Sequence, residues 1–291
     1  MKKKKYRIPE LIKIAYKETK RSSLAIYLIL RFLVIACLIL QIIRGDLNNA
    51  LLCLLSLLLL FAPFFIQNKF EITLPDGLEI AIYLFIFSAE ILGEINNFYG
   101  IIPHWDTMLH TINGFLATAV GFSLIDLLNK NSKKFNLSPI YLCIVAFCFS
   151  MTIGVLWEFF EYGADKIFNL DMQKDTIVET VSSVSINPDG ENKAIILKNI
   201  GKTVIYDNEG NPMQIIDGGY LDIGINDTMK DLFVNFIGAV VFCLFGYYAL
   251  THNKNSAFID NFVPKKGKRA MAKSVEDKLK IHSDDSNDNH S

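Results

Sequence analysis

Residues Leu24–Ile43 read LAIYLILRFLVIACLILQII, and the only charge among them is Arg31. A helix of about 20 apolar residues matches the hydrocarbon thickness of a bilayer. Such a run cannot leave its backbone amides unpaired in lipid, so it must be helical. The basic segment before it, Met1 to Arg21, invites a signal-peptide reading. The apolar run is too long for a signal core and has no small-x-small cleavage site, so it reads as a retained helix.

Moving outward, five more stretches qualify or nearly qualify: Leu47–Ile66, Leu78–Ile95, Trp105–Leu128, Pro139–Tyr162 and Asp231–Leu250. The 291 residues are 51% apolar and 20% charged, and the charge lies mainly outside these runs. A soluble domain of this size has no need of such runs. The five cysteines (Cys37, Cys53, Cys143, Cys148 and Cys243) all sit inside apolar runs. That argues against a disulfide framework or a CxxC metal site and for small buried hydrophobes.

Orientation follows from lysine and arginine in the short flanks. Nine precede the first run: Lys2, Lys3, Lys4, Lys5, Arg7, Lys13, Lys17, Lys20 and Arg21. The first loop holds only Arg44, the second only Lys69, and Asn96–His104 none. Lys130, Lys133 and Lys134 follow the fourth run, and Lys254, Lys265, Lys266, Lys268 and Arg269 follow the last. The expected fold is an all-α integral membrane protein with six transmembrane helices and both termini cytoplasmic. Residues 1–23 form a basic cytoplasmic N-terminus, 24–250 the membrane domain, 165–230 an outer loop within it, and 251–291 a polar, disordered cytoplasmic tail.

In the outer loop, Lys193–Lys198 and Lys202–Tyr206 read as strands joined by Asn199-Ile200-Gly201, a small β-hairpin insert. Asp207 to Pro212 reads as a turn, and it lacks the spacing of an EF-hand calcium loop.

Polar residues inside the runs are the candidate site, because a charge in hydrocarbon is costly unless paired. Glu90, Glu94 and Asn97 share a face by α-helical spacing, as do Asp106, His110 and Asn113. Glu158, Glu161 and Asp165 repeat the pattern, and so do Asp227, Asp231 and Asn235. With the topology above, all four faces fall in the outer half of the membrane, and His110 lies roughly 8 Å below Trp105. Stretches at the inner end (Ala117–Ser123, Ile140–Phe149, Val240–Phe245) carry no charge.

An imidazole and carboxylates from facing helices are a ligand set for a divalent metal such as Zn²⁺, Mn²⁺ or Fe. The metal ligands expected are His110, Asp106, Glu158, Glu161, Asp227 and Asp231. Without a metal, His110, Glu158, Glu161 and Asp106 could work as acid or base, since crowded carboxylates raise one another's pKa. Asn113 and Asn235 would support them. Against this stands a structural reading: polar side chains also tie membrane helices together, and acids near the edge reach water. Trp105 and Trp157 read as interfacial anchors. Gly114, Gly121, Gly154 and Gly238 read as points of close helix approach.

Three segments carry a resemblance: His104-Trp105-Asp106-Thr107-Met108-Leu109-His110, Trp157-Glu158-Phe159-Phe160-Glu161 and Asp227 through Ala239. Together they resemble an uncharacterised bacterial inner-membrane family typified by YjdF (DUF2238). More distantly, a histidine helix, an acidic helix and a final Asp-x-x-x-Asn-x-x-Gly-Ala helix look like the VanZ-like membrane proteins associated with glycopeptide resistance. The resemblance covers about residues 75–250 and departs in the insert between Asp175 and Asp227. It implies a bacterial cell-membrane protein and the three-motif site, with no established reaction.

Three functions compete. One is an envelope enzyme acting on a lipid-linked substrate at the outer leaflet. A second is a non-catalytic membrane scaffold or sensor. A transporter is disfavoured by the absence of a repeat and of midplane polar residues. Partners expected are membrane lipid and no nucleic acid.

Overall fold

A computed structural model describes residues 21–70, 72–131, 136–169, 171–252, 261–263 and 265–266. The basic N-terminus before Arg21 and the tail beyond Lys266, with their charge and disorder readings, lie outside the described residues.

Eight α-helices are described: α1 Arg21–Arg44, α2 Leu47–Leu59, α3 Ala62–Phe70, α4 Asp76–Ile86, α5 Phe98–Ile101, α6 Trp105–Asn131, α7 Pro139–Phe168 and α8 Ile225–His252. A π-helix, Phe87–Ile95, continues α4. Five helical stretches are long and apolar enough to cross a membrane: Ser22–Arg44, Leu47–Lys69, Trp105–Asn129, Pro139–Phe168 and Ile225–His252. Their large side chains face outward, as Phe32, Ile43, Leu58, Phe159 and Phe233 do. In water such faces would drive association, whereas in lipid they are solvated. The chain is thus a mostly helical, multi-pass membrane protein with small β-hairpins.

The chain divides into two compact units, Met1–Ile153 with Val234–Ser291, and Gly154–Phe233. In the first unit, one core gathers Leu78 of α4, Leu116 and Phe122 of α6, Ala146 of α7 and Phe242 of α8. A second core joins Leu30 and Val34 of α1, Cys53 of α2 and Tyr83 and Ile86 of α4.

Helices α6 and α8 approach each other closely at two glycines. A Cβ added to Gly114 would lie 2.0 Å from the Asn235 carbonyl oxygen, and one added to Gly238 would lie 2.0 Å from that of Thr111. Only glycine permits this approach, which is how small residues let membrane helices gain packing and hydrogen bonds. Gly121 makes room for the Phe149 ring in the same way. Cys143 and Cys243 each donate a thiol to the other's backbone carbonyl, at 3.5 and 3.3 Å, so these cysteines serve as small interior groups that join α7 to α8.

The stretch expected as one α-helix over Leu78–Ile95 changes winding at Phe87. Asn96 N–H donates to Ile91 O, a bond to the fifth residue back. Wider winding shifts the face on which successive residues fall. The helix ends before Asn97, whose φ of 55° starts a new turn. Asn97 therefore does not share the face of Glu90 and Glu94, contrary to the α-spacing expectation.

The tail, expected to be disordered from residue 251, is ordered in part. Lys265–Lys266 pair antiparallel with Ile72–Thr73. Val263 is buried among Ile72, Leu74 and Leu78, and the Phe262 ring meets Phe115 edge-on at 5.5 Å. An apolar pair inside a polar sequence is enough to anchor it, and composition averages the pair away.

The second unit holds three two-stranded sheets: Ile177–Val178 with Tyr220–Leu221, Val181–Ser183 with Ile195–Leu197, and Lys202–Tyr206 with Pro212–Asp217. The expected pairing across Asn199-Ile200-Gly201 is corrected here. Asn199 adopts φ 54°, Ile200 N–H donates to Glu179 O, and Gly201 O accepts from Gly218 N–H. The linker's backbone groups are thus taken by other segments, and its two flanking strands pair elsewhere. The hairpin turn lies instead at Asp207–Asn211, where the Asp207 carboxylate accepts the N–H groups of Glu209 and Asn211.

Candidate functional site

In the first unit the polar face expected on the Trp105–Leu128 run is carried by α6. Asp106 and His110 lie one turn apart on α6, with Nε2 and Oδ1 3.4 Å apart. The His110 side chain is 11% exposed and that of Asp106 30%. An imidazole nitrogen and a carboxylate oxygen this close can together offer two ligand atoms to a cation. His104 stands apart, exposed on the turn before α6 with φ 61°.

One turn deeper, the polar groups are spoken for. Asn113 Nδ2 donates to Asn235 Oδ1 at 3.1 Å, and Asn235 Nδ2 reaches Met151 Sδ at 3.6 Å. Gly114 O accepts the hydroxyls of Thr118 and Ser150, at 2.6 and 2.9 Å. Asn113 and Asn235 therefore tie α6, α7 and α8 together beneath His110. Each buried amide finds a partner, as the cost of leaving it unpaired requires.

In the second unit, Glu158 is 4% exposed, Glu161 8% and Asp231 1%. Phe159, Phe160 and Tyr162 of the same helix turn outward. Glu161 accepts the Trp157 indole N–H at 2.7 Å, so this tryptophan positions an acid, and it stands eleven residues before the end of α7. Lys230 Nζ lies 3.1 Å from Asp227 and 3.6 Å from Asp231.

Three aspartates in this unit do a task that spacing did not reveal. Asp165 accepts the N–H groups of Met172 and Gln173, at 2.6 and 2.9 Å. Asp227 accepts that of Lys174 at 3.0 Å, and Asp222 that of Thr176 at 2.7 Å. Asp222 also takes Gly224 N–H and Asn226 N–H at the start of α8. Burial would push the Asp222 carboxyl up, but these hydrogen bonds outweigh it and hold the group below the usual carboxylate range. Partial burial pushes Asp175 up, and the charges of Asp171, Asp222 and Asp165 add to it. Ile223, between these ligating positions, is held at φ 59°, where a β-branched residue is strained. No sequence signal marks such carboxylates, because their partners are backbone amides.

Two buried acids lie outside the candidate set. Glu79, 6% exposed, accepts the Tyr83 hydroxyl at 3.0 Å, and Asp126 is buried on α6. Asp126 sits just beyond Ala117–Ser123 and Glu79 at the start of the Leu78–Ile95 run, both ends expected to be inner, so among the described residues buried acids are not confined to the expected outer ends. Glu90 is half-buried and Glu94 exposed on the π-helix.

An uncharacterised protein of Thermotoga maritima is 27% identical over 125 residues, 42% of this chain, and the chain spans 63% of that relative's length. No solved structure matches. A family model described as a predicted membrane protein, DUF2238, matches residues 25–252, so this multi-pass chain belongs to the DUF2238 family of predicted membrane proteins.

Proposed function

We propose a six-span protein of the bacterial cytoplasmic membrane, with both termini inside, that binds a divalent metal through His110 and Asp106 and acts on a lipid-linked substrate at the outer leaflet. The observation that carries the metal reading is the 3.4 Å approach of the two side chains on a helix long and apolar enough to cross a membrane. A paired, half-dehydrated imidazole and carboxylate is a costly arrangement to keep without use. Glu158, Glu161, Asp227 and Asp231 are the further acids whose loss would reveal whether they join in.

Support for the additional span comes from the first unit. Ile72, Leu74 and Leu78, at the start of the α4 stretch, cluster with Phe122 and the partly buried Ile125 of α6. At the other end of the stretch, Gly93 packs against Tyr99, and Phe98 meets the Trp105 ring at 5.0 Å. The run Asp76–Ile95 thus lies antiparallel beside a helix long enough to cross. Biotinylation of a cysteine placed at Asn208 in intact cells tests it: labelling fits six spans, while protection means that Asp76–Ile95 does not cross.

A non-catalytic scaffold or sensor is the second reading, favoured by Asp227, whose two oxygens already serve Lys174 N–H and Lys230. Metal content of the purified protein decides between them. Near-stoichiometric metal in wild type, lost in His110→Ala and Asp106→Asn, fits the enzyme. A metal-free protein whose variants lose only stability fits the scaffold.

A further inference from the structure

We infer that Arg31, with Tyr27, forms a binding site for the phosphate of a lipid in the leaflet next to the N-terminal end of α1. Arg31 lies ten residues from the first residue of α1, about 15 Å along the helix. Its guanidinium cannot be discharged, so in hydrocarbon it demands an anion or a polar surround. Among the described residues it has no carboxylate within ion-pair distance. Its contacts are the Tyr27 hydroxyl, the Tyr27 ring at 5.6 Å and the Phe61 ring at 4.4 Å. The guanidinium carbon lies over the Phe61 ring, and one of the five N–H groups is taken by the Tyr27 hydroxyl. The remaining donors form the fork that suits phosphate oxygens.

The arrangement is held in place. Glu79 accepts the Tyr83 hydroxyl, and the Tyr83 ring packs on that of Tyr27 at 5.3 Å. Tyr27 in turn meets Arg31. Because Tyr27 lies one turn toward the N-terminus, the guanidinium points along α1 to the near leaflet, the direction helical side chains favour. The flanks are lipid-facing: Leu28 and Phe32 on α1 and Leu58 on α2 are more than half exposed. A phosphate arriving here comes most readily on a lipid, and basic sites between membrane helices do take such headgroups.

The test places the full-length protein in nanodiscs of phosphatidylcholine, with or without phosphatidylglycerol, and reads lipid retained by native mass spectrometry together with the thermal midpoint. Wild type should retain phosphatidylglycerol and gain stability from it. Arg31→Gln should retain about fivefold less, the worth of one basic side chain at a membrane surface. Tyr27→Phe keeps the ring and the fold and loses the hydroxyl that aims the guanidinium. It should show a smaller loss with an unchanged midpoint in phosphatidylcholine. Equal retention in wild type and both variants overturns the proposal. So does a wild-type gain reproduced by inorganic phosphate in phosphatidylcholine discs, which would make the site one for a small soluble anion.

Discussion

The α6–α8 crossing and the loop leading into α8 are both organised by polar groups, in opposite ways. At the crossing, Gly114 and Gly238 bring backbones into contact, and Asn113 and Asn235 close the remaining gap. Shape comes first there and hydrogen bonds follow. In the loop around residues 171–176 little apolar surface is buried, and Asp165, Asp222 and Asp227 collect backbone N–H groups in place of regular structure. Inside a bilayer there is no water to repair a misfit, so tight contact decides. In water a charged acceptor is cheap to supply and can be turned off by a proton.

The largest effect should follow from filling the crossing. Gly238→Ala or Gly114→Ala places a methyl 2.0 Å from a backbone oxygen, and no side-chain motion relieves it. We expect a loss of about 3 kcal/mol or more, the upper end of overpacking costs, read from unfolding in mixed detergent. Gly163→Ala is the control: nothing lies within 4 Å of its added Cβ, and helix propensity predicts a small gain. Equal behaviour of Gly163 and Gly238 would show that the crossing is loose. A smaller effect belongs to the amide pair. A double-mutant cycle of Asn113→Leu and Asn235→Leu should give a coupling of about 0.6 to 1.7 kcal/mol, the range for hydrogen bonds between membrane helices. Coupling near zero would assign the pair no share in the crossing.

The same contrast explains what was legible. Apolar length marked the five helices long enough to cross among six expected runs, and Gly114 and Gly238 were legible as points of close approach, though not as each other's partners. The burial of Glu158, Glu161 and Asp231 on inward faces follows from spacing too. The π-winding at Phe87 was not legible, since it depends on which carbonyl Asn96 chooses. Strand partners in the outer loop were hidden for a like reason: the residues nearest in sequence to Ile195–Leu197 are not those that pair with it. Asp126 was missed because it lies just past Ala117–Ser123, and Glu79 because, at the edge of the Leu78–Ile95 run, it has no acidic neighbour at helical spacing within that run until Glu90.

The weakest expected effects lie in the loop, and they have a sign that the crossing lacks. Asp222→Asn should speed amide exchange at Thr176 and Asn226 by about tenfold or less, since solvent screens much of a charge-assisted bond. Acid should reach the same end. Asp222 and Asp207 are held below their ordinary range, Asp207 first by the Asn211 backbone N–H. Their stabilising contribution is present above the unfolded value of about 3.9 and is lost as pH falls through the lower folded values. Asp175 has the opposite sign. Its folded value is raised by burial and neighbouring charge, so its contribution is complete below about 3.9 and is lost as pH rises through that raised value. Lowering the pH from neutrality should therefore first raise the protection factors at residues 172–176, taken against the intrinsic exchange rate at each pH, and then, below about 4, lower them. Asp175→Asn should abolish the rise in protection and Asp222→Asn should flatten the later fall. Protection that only falls on acidification, identically in Asp175→Asn, would remove Asp175 from the cluster and leave the three accepting carboxylates as the loop's organising charges.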